Sequence, residues 1–209
     1  MNNASYGRVT AGLIAVWFVF ALSASALHVF KTDLLPVALG LAVTIPIVAF
    51  LLWFATSAAF RQFALSLNPR TLTFVQSWRV AGFTFLVLYA AGILPGVFAL
   101  PAGLGDIAIG ATAPLVAIKL GNFNHRRGFI FWQILGISDL VMAVTLGTIA
   151  RLTSPDGVGT GVMTVLPLSL IPTFAVPLLI MLHVLCIAQA RQWTERQYSH
   201  VGEQLSSSA

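Results

Sequence analysis

Five polar side chains in an otherwise apolar sequence are the candidates for chemistry: two aspartates, two histidines and a glutamine. They are Asp106, Asp139, His183, His28 and Gln133. Ionisable groups are costly inside a bilayer, so they mark ion pathways, proton relays or ligand sites. Asp106 is predicted near the outer face, Asp139 at the centre and His183 in the inner half. Titratable groups at successive depths predict a proton relay or a substrate-lining path.

Asp139 is the most informative of these residues because it lies in the middle of an apolar segment. A low dielectric disfavours a charged carboxylate, and no Lys or Arg falls deep within a predicted span. We therefore predict that Asp139 is neutral at rest and ionises only when water, an ion or a substrate reaches it. A purely structural hydrogen bond is the alternative role. For Asp106 the alternative role is to cap a helix N-terminus, where an acidic side chain is favoured.

Other kinds of site find little support in the sequence. It contains no HExxH, CxxC or paired-histidine spacing and no GxSxG nucleophile motif. The single cysteine, Cys186, has apolar neighbours typical of an inert core thiol. A divalent ion held by His28, Asp33 and Asp106 on the outer side is the one alternative. We predict no metal and no cofactor.

Membrane-spanning helices must position these residues, because the composition excludes a soluble protein. Hydrophobic residues make up 58% of the 209-residue chain and charged residues only 8%, against about 25% in a soluble domain. A spanning helix needs roughly 20 mainly apolar residues. Six segments qualify, over residues 9–27, 34–54, 80–100, 104–120, 129–149 and 165–190. Their apolar runs do not alternate as β-barrel strands do, so we predict an all-α, six-span bundle.

The basic residues predict how this bundle is oriented. With the N-terminus in the cytoplasm, two basic residues, Lys31 and Arg151, fall outside, and nine fall inside. The nine are Arg8, Arg61, Arg70, Arg79, Lys119, Arg126, Arg127, Arg191 and Arg196. The positive-inside rule therefore places both termini in the cytoplasm, and we expect a bacterial inner-membrane protein. Cleavage of the first segment as a signal peptide after Ala26 is the alternative.

The chain divides into one transmembrane domain over residues 1–191 and a short polar cytoplasmic tail over 192–209. Residues 57–76 form the longest internal loop and are predicted to lie along the headgroups as short amphipathic turns. Asn68-Pro69 is predicted to form a turn within that loop.

Small residues and prolines predict how the helices meet. Each aspartate lies in a stripe of small residues at helical spacing, so the fourth and fifth spans are expected to pack together. The stripes are Gly103, Asp106, Gly110, Pro114, Ala117 and Trp132, Gly136, Asp139, Ala143, Gly147. Leu94-Pro95-Gly96 is expected to interrupt the third span and Pro101 to close it. Three prolines at 167, 172 and 177 make a regular α-helix unfavourable in the sixth span.

Three classes of function are consistent with these features. The favoured one is a proton-linked transporter or channel-like protein for a small solute. The second is a membrane-embedded enzyme or a cofactor- or lipid-binding subunit, in which Trp132, Gln133 and Asp139 line a slot. The third is a non-catalytic scaffold subunit that docks through residues 57–76. The predicted partners are membrane lipid and either a second copy or another membrane subunit. Nucleic acid is not predicted, because basic excess in such a protein belongs to cytoplasmic loops.

Overall fold

The structure is a computed structural model that describes residues 3–31, 37–153 and 158–193, and these are helical without strands. The α-helices are α1 (Asn3–Ala26), α2 (Val37–Thr56), α3 (Ala58–Ser66), α4 (Pro69–Val75), α5 (Phe83–Ala90), α6 (Gly96–Leu115), α7 (Arg126–Thr153) and α8 (Val176–Arg191). Tighter 3₁₀ turns occupy Gln76–Gly82, Phe123–His125 and Gly161–Thr164, and wider π turns occupy Val116–Leu120 and Ile171–Ala175.

Six helical stretches are long and apolar enough to cross a membrane, which confirms the all-helical class and the number of candidate spans. Spans one to six are Ser5–Ala26, Val37–Thr56, Pro69–Ala90, Gly96–Leu120, Arg126–Thr153 and Ile171–Arg191. Large apolar side chains such as Val16, Phe20 and Ile118 are more than 60% exposed on their outer surfaces. Asp33, the start of the second predicted segment and tail residues 194–209 lie outside the described residues.

The boundaries of the third and fourth spans differ from the prediction. Span three begins eleven residues earlier than expected and ends at Ala90, ten residues before the predicted end. Gly92 adopts a left-handed φ of 70° just after α5, a conformation that ends helices and favours glycine. Pro95 then occupies the residue position directly before α6, while Pro101 lies inside that helix and does not close a span.

The prediction of a loop over residues 57–76 is wrong for the second half of that range. Its first half is helix α3, which Ser57 caps by accepting a hydrogen bond from the backbone N–H of Phe60. Phe60 is buried and stacks on Trp53 of span two at 3.8 Å between ring centroids. The second half is the first part of span three. Asn68-Pro69, predicted as a turn, caps and starts α4.

Span six has the irregular first turns that its prolines predict. Residues Ile171–Ala175 form a π turn, and a regular α-helix starts only at Val176. The Leu166–Pro167 peptide, which precedes the span, is cis. Further along, the Gln189 amide donates to the Leu67 carbonyl at 2.7 Å. This hydrogen bond ties span six to the end of α3.

Spans four and five contact each other as predicted, but the two small-residue stripes do not face one another. Asp139 packs against Gly105, where an added Cβ would lie 1.7 Å from its Oδ1. Gly110, in the middle of the span-four stripe, faces span three, with its Cβ position 2.4 Å from the backbone N of Val80. Span four is therefore wedged between span three and span five.

Candidate functional site

A buried arginine in the middle of span three organises the polar interior. Arg79 lies in the 3₁₀ stretch Gln76–Gly82, and only 3% of its surface is exposed. With three residues per turn, positions three apart align on one face, and the three buried residues of this stretch are Gln76, Arg79 and Gly82. The 3₁₀ winding therefore aims the guanidinium inward, at spans four, five and six.

Arg79 lies between the two aspartates. Its Nε donates to Oδ1 of Asp106 at 2.7 Å, and its Nη2 donates to Oδ2 of Asp139. Its Nη1 donates to the Gly136 carbonyl at 3.2 Å. A planar guanidinium presents five donors in a fixed fork, so one side chain joins span three to both spans four and five. We call Arg79, Asp106 and Asp139 the triad.

The triad corrects the prediction that no basic side chain accompanies Asp139. That prediction assigned the polar run before Val80 to a cytoplasmic loop, whereas span three begins at Pro69 and carries Arg79 into the bundle. The account of Asp139 as a lone, uncompensated carboxyl is therefore wrong. The physical reason is that one guanidinium supplies the counter-charge that the apolar segments lack.

The charges of the triad do not balance. One guanidinium and two carboxylates sum to −1 when both acids are ionised, and the side chains are 1%, 16% and 10% exposed for Arg79, Asp106 and Asp139. Unbalanced charge in a low-dielectric interior is unfavourable by several kcal/mol. The triad therefore favours the uptake of one more positive charge, from a proton or from a cation.

His183 of span six contacts the triad from its other side. Its Nε2 lies 3.4 Å from Nη1 of Arg79. Because a guanidinium can only donate, Nε2 must accept, and the ring proton must lie on Nδ1. Nδ1 in turn contacts Oε1 of Gln133 and donates to it. Gly136 makes room for this ring, since a Cβ there would lie 2.3 Å from the imidazole Cε1.

The hydrogen bonds continue from His183 toward the end of the bundle where span three begins. The Gln133 amide donates to Oγ1 of Thr73 at 3.0 Å, and Thr73 lies 3.7 Å from Sγ of Cys186. Gln133, Thr73 and Cys186 are all almost completely buried. An amide does not readily pass protons along, so this chain holds His183 in place and does not form a continuous proton wire. We call it the His183 chain.

A cavity of about 290 Å³ reaches the triad from the opposite end of the bundle. Asp106 contributes to its lining at the triad, and Arg151 lies twelve residues beyond Asp139 on α7. Twelve residues of helix span about 18 Å. Most of the lining between these charges is apolar and comes from spans two to six, including Val43, Phe85, Phe98, Leu140, Val144 and Val176.

The structure brings together four of the five residues that the sequence singled out. Asp106, Asp139, His183 and Gln133 belong to one buried hydrogen-bonded group around Arg79. His28 is not among them, since it is exposed in the turn after α1. Trp132, Gln133 and Asp139, predicted to line a slot, do not line this cavity. The alternative metal site includes Asp33, which lies outside the described residues.

Arg79 is the residue that sequence reasoning missed. Two signals could have found it: the spacing of Gln76, Arg79 and Gly82 by threes, and the need of two buried acids for a cation.

The comparisons with known proteins give one match. The family model of a domain of unknown function, DUF8737, matches residues 34–191. The chain belongs to this family. The matched range contains the triad, His183 and the lining of the cavity, while span one precedes it. No curated protein and no solved structure matches the chain.

Proposed function

We propose that this DUF8737 protein is a proton-linked transporter of a small solute. The observation that supports it is the triad: one buried arginine between two carboxylates, at the inner end of a cavity. A permanently neutral core would hold the helices together more simply, because buried ion pairs are often no more stabilising than apolar contacts. A surplus negative charge at the end of a cavity is instead suited to binding and releasing a proton.

Asp106 is the residue that exchanges the proton in this mechanism. Its side chain is the more exposed of the two acids and lines the cavity. A proton on Asp106 cancels the surplus charge and weakens its hydrogen bond with Nε of Arg79. Arg79 then remains paired with Asp139. The tie between spans three and four is thereby loosened while the tie between spans three and five is kept.

Transport requires the solute to leave at the end opposite its entry. In this structure the His183 chain fills the interior on the far side of the triad. A solute bound in the cavity therefore passes only after the helices rearrange, as alternating access requires. Because Arg79 lies within a span, the predicted count of basic residues on the cytoplasmic side falls from nine to eight, against two on the outer side. The bias still favours a cavity that opens on the outer face of an inner membrane.

A lipid-binding subunit is the second candidate, and the mainly apolar lining of the cavity favours it. Under this proposal the cavity holds an acyl chain and the triad only fastens the helices. Lipid that stays bound to the purified protein, and that is lost when Val144 is replaced by the larger phenylalanine, would support it.

The transport proposal predicts solute-dependent proton flux. The full chain in liposomes under a pH gradient, followed with an entrapped pH dye, should dissipate that gradient when the right solute is added. The panel comprises organic ammonium ions, amino acids, sugars and carboxylates. Asp106→Asn and Asp139→Asn should each slow the flux at least about tenfold, because each removes an ionisable group from the triad.

Asp33→Asn serves as the matched control, since it makes the same chemical change just before the matched range. It should keep the wild-type rate. Full flux in both triad variants, or no response to any class of solute, would remove the transport proposal.

A further inference from the structure

We infer that the cavity binds a small lipophilic monocation, an organic ammonium ion, and that this cation competes with the proton for Asp106. The inference rests on the proposed function and names the class of solute. It combines the charge of the triad with the size and the chemistry of the cavity lining.

The charge of the triad selects a cation. With both acids ionised the sum is −1, so an anion is repelled from the inner end and a monocation makes the site neutral. Arg151, at the other end of the cavity, lies about 18 Å from Asp139 along α7. At that distance its charge does not compensate the triad.

The lining disfavours a solute with many hydroxyl groups. Three threonines line the cavity near Arg151, but each hydroxyl donates to a backbone carbonyl. Thr148 bonds to Val144 at 2.8 Å, Thr160 to Gly147 at 2.7 Å, and Thr164 to Gly161 at 2.7 Å. These hydroxyls have used their only donor and can only accept, so a sugar-like solute would replace few of the hydrogen bonds that it makes with water, which is unfavourable. An apolar body with one charge fits this surface.

The volume of the cavity and the aromatic residues in its lining define the solute further. A volume of about 290 Å³ holds roughly ten non-hydrogen atoms at the density of a liquid. Phe85 and Phe98 line the cavity and meet edge to face, with 5.4 Å between ring centroids. Aromatic faces attract quaternary ammonium groups. Benzyltrimethylammonium has a suitable size and charge and serves as the probe.

Competition with the proton follows from the groups that face Asp106. These are Arg79 from span three, Asp139 from span five and, behind Arg79, His183 from span six. Span two contributes apolar lining but contains no ionisable residue. A proton on the triad removes the surplus charge, so the protonated site no longer attracts the cation.

The test measures binding of radiolabelled benzyltrimethylammonium to the full chain in detergent by equilibrium dialysis. We expect the apparent Kd to fall by up to about tenfold for each unit by which the pH is raised, because binding of the cation displaces one proton. The matched neutral ligand is neopentylbenzene, which has the same shape with carbon in place of nitrogen, and it should not compete. Asp106→Asn should weaken binding at least about tenfold and abolish its pH dependence.

A second variant keeps the test decisive if Asp106→Asn fails to fold. Val144→Phe adds a ring to the cavity wall without replacing a residue of the triad, and it should abolish binding while the protein still elutes as a folded species.

Competition by neopentylbenzene as effective as that of unlabelled probe, binding that does not vary with pH, or no binding at all would overturn the inference. The two proposals fail separately. Binding that depends on pH without solute-driven flux would contradict transport alone, whereas flux driven only by sugars, amino acids or carboxylates would contradict the cation alone.

Discussion

Replacing Arg79 by glutamine should strongly lower the stability of the protein at neutral pH. The change leaves two carboxylates in the interior without a cation, and removing one member of a buried pair typically lowers the free energy of unfolding by about 3–5 kcal/mol. That is a large fraction of the roughly 5–15 kcal/mol that stabilises most proteins. Size-exclusion chromatography and thermal unfolding in mild detergent would measure the loss.

Two controls distinguish this charge effect from general damage. Combining Arg79→Gln with Asp106→Asn and Asp139→Asn should restore most of the stability, since no buried charge is then left unpaired. Arg70→Gln removes an arginine whose Nε donates one long hydrogen bond, to the Gly121 carbonyl at 3.4 Å, and it should change stability by less than about 1 kcal/mol. Wild-type stability of Arg79→Gln alone would contradict the role given to the triad.

The second large effect is expected from Gly110→Ala. An alanine Cβ there would lie 2.4 Å from the backbone N of Val80 and 2.9 Å from the carbonyl carbon of Arg79. Backbone atoms cannot move aside as a flexible side chain can, so spans three and four must separate. Overpacking of this kind lowers stability by about 1–3 kcal/mol, and it also displaces the base of Arg79.

Gly12→Ala is the matched control, because no atom lies within 4 Å of its Cβ position in span one. Alanine favours helix over glycine by about 1 kcal/mol, so this variant should be at least as stable as the wild type. Thermal unfolding of both variants in one detergent gives the comparison. Equal melting temperatures for the two variants would show that the close approach at Gly110 is not required.

The sequence predicts the number of helices well and the boundaries of spans three and four poorly. Long apolar runs identify the spans however the helices pack together, because a helix that is exposed to lipid must be apolar. The start of span three was predicted too late because the first half of this span is polar: Gln76, Ser77 and Arg79 help to make it the least apolar of the six. Its end was also misplaced, since Gly92 stops the helix and Pro95 starts the next.

The site could be predicted only from the rarity of its residues. Asp106, Asp139 and His183 stand out because polar residues are few in this chain, but helix rotation, which decides whether they meet, is not encoded in hydropathy. His28 was selected by the same rarity and lies exposed at a helix end. Arg79 was assigned to the cytoplasmic side because it stands in a polar stretch directly before the apolar run that begins at Val80.

The seven residues of the 3₁₀ stretch around Arg79 make span three longer than an α-helix of the same sequence. A 3₁₀ turn rises about 2.0 Å per residue against 1.5 Å, so the excess is roughly 3.5 Å. Rewinding Gln76–Gly82 into α-helix would shorten the span by that length and rotate its two halves by roughly 140° relative to each other. The salt bridges of Arg79 fasten the middle of this segment to two neighbours. Releasing one of them by protonation would leave this segment fastened to a single neighbour and would favour a screw-like motion, in which one half of span three moves along its axis relative to the other half.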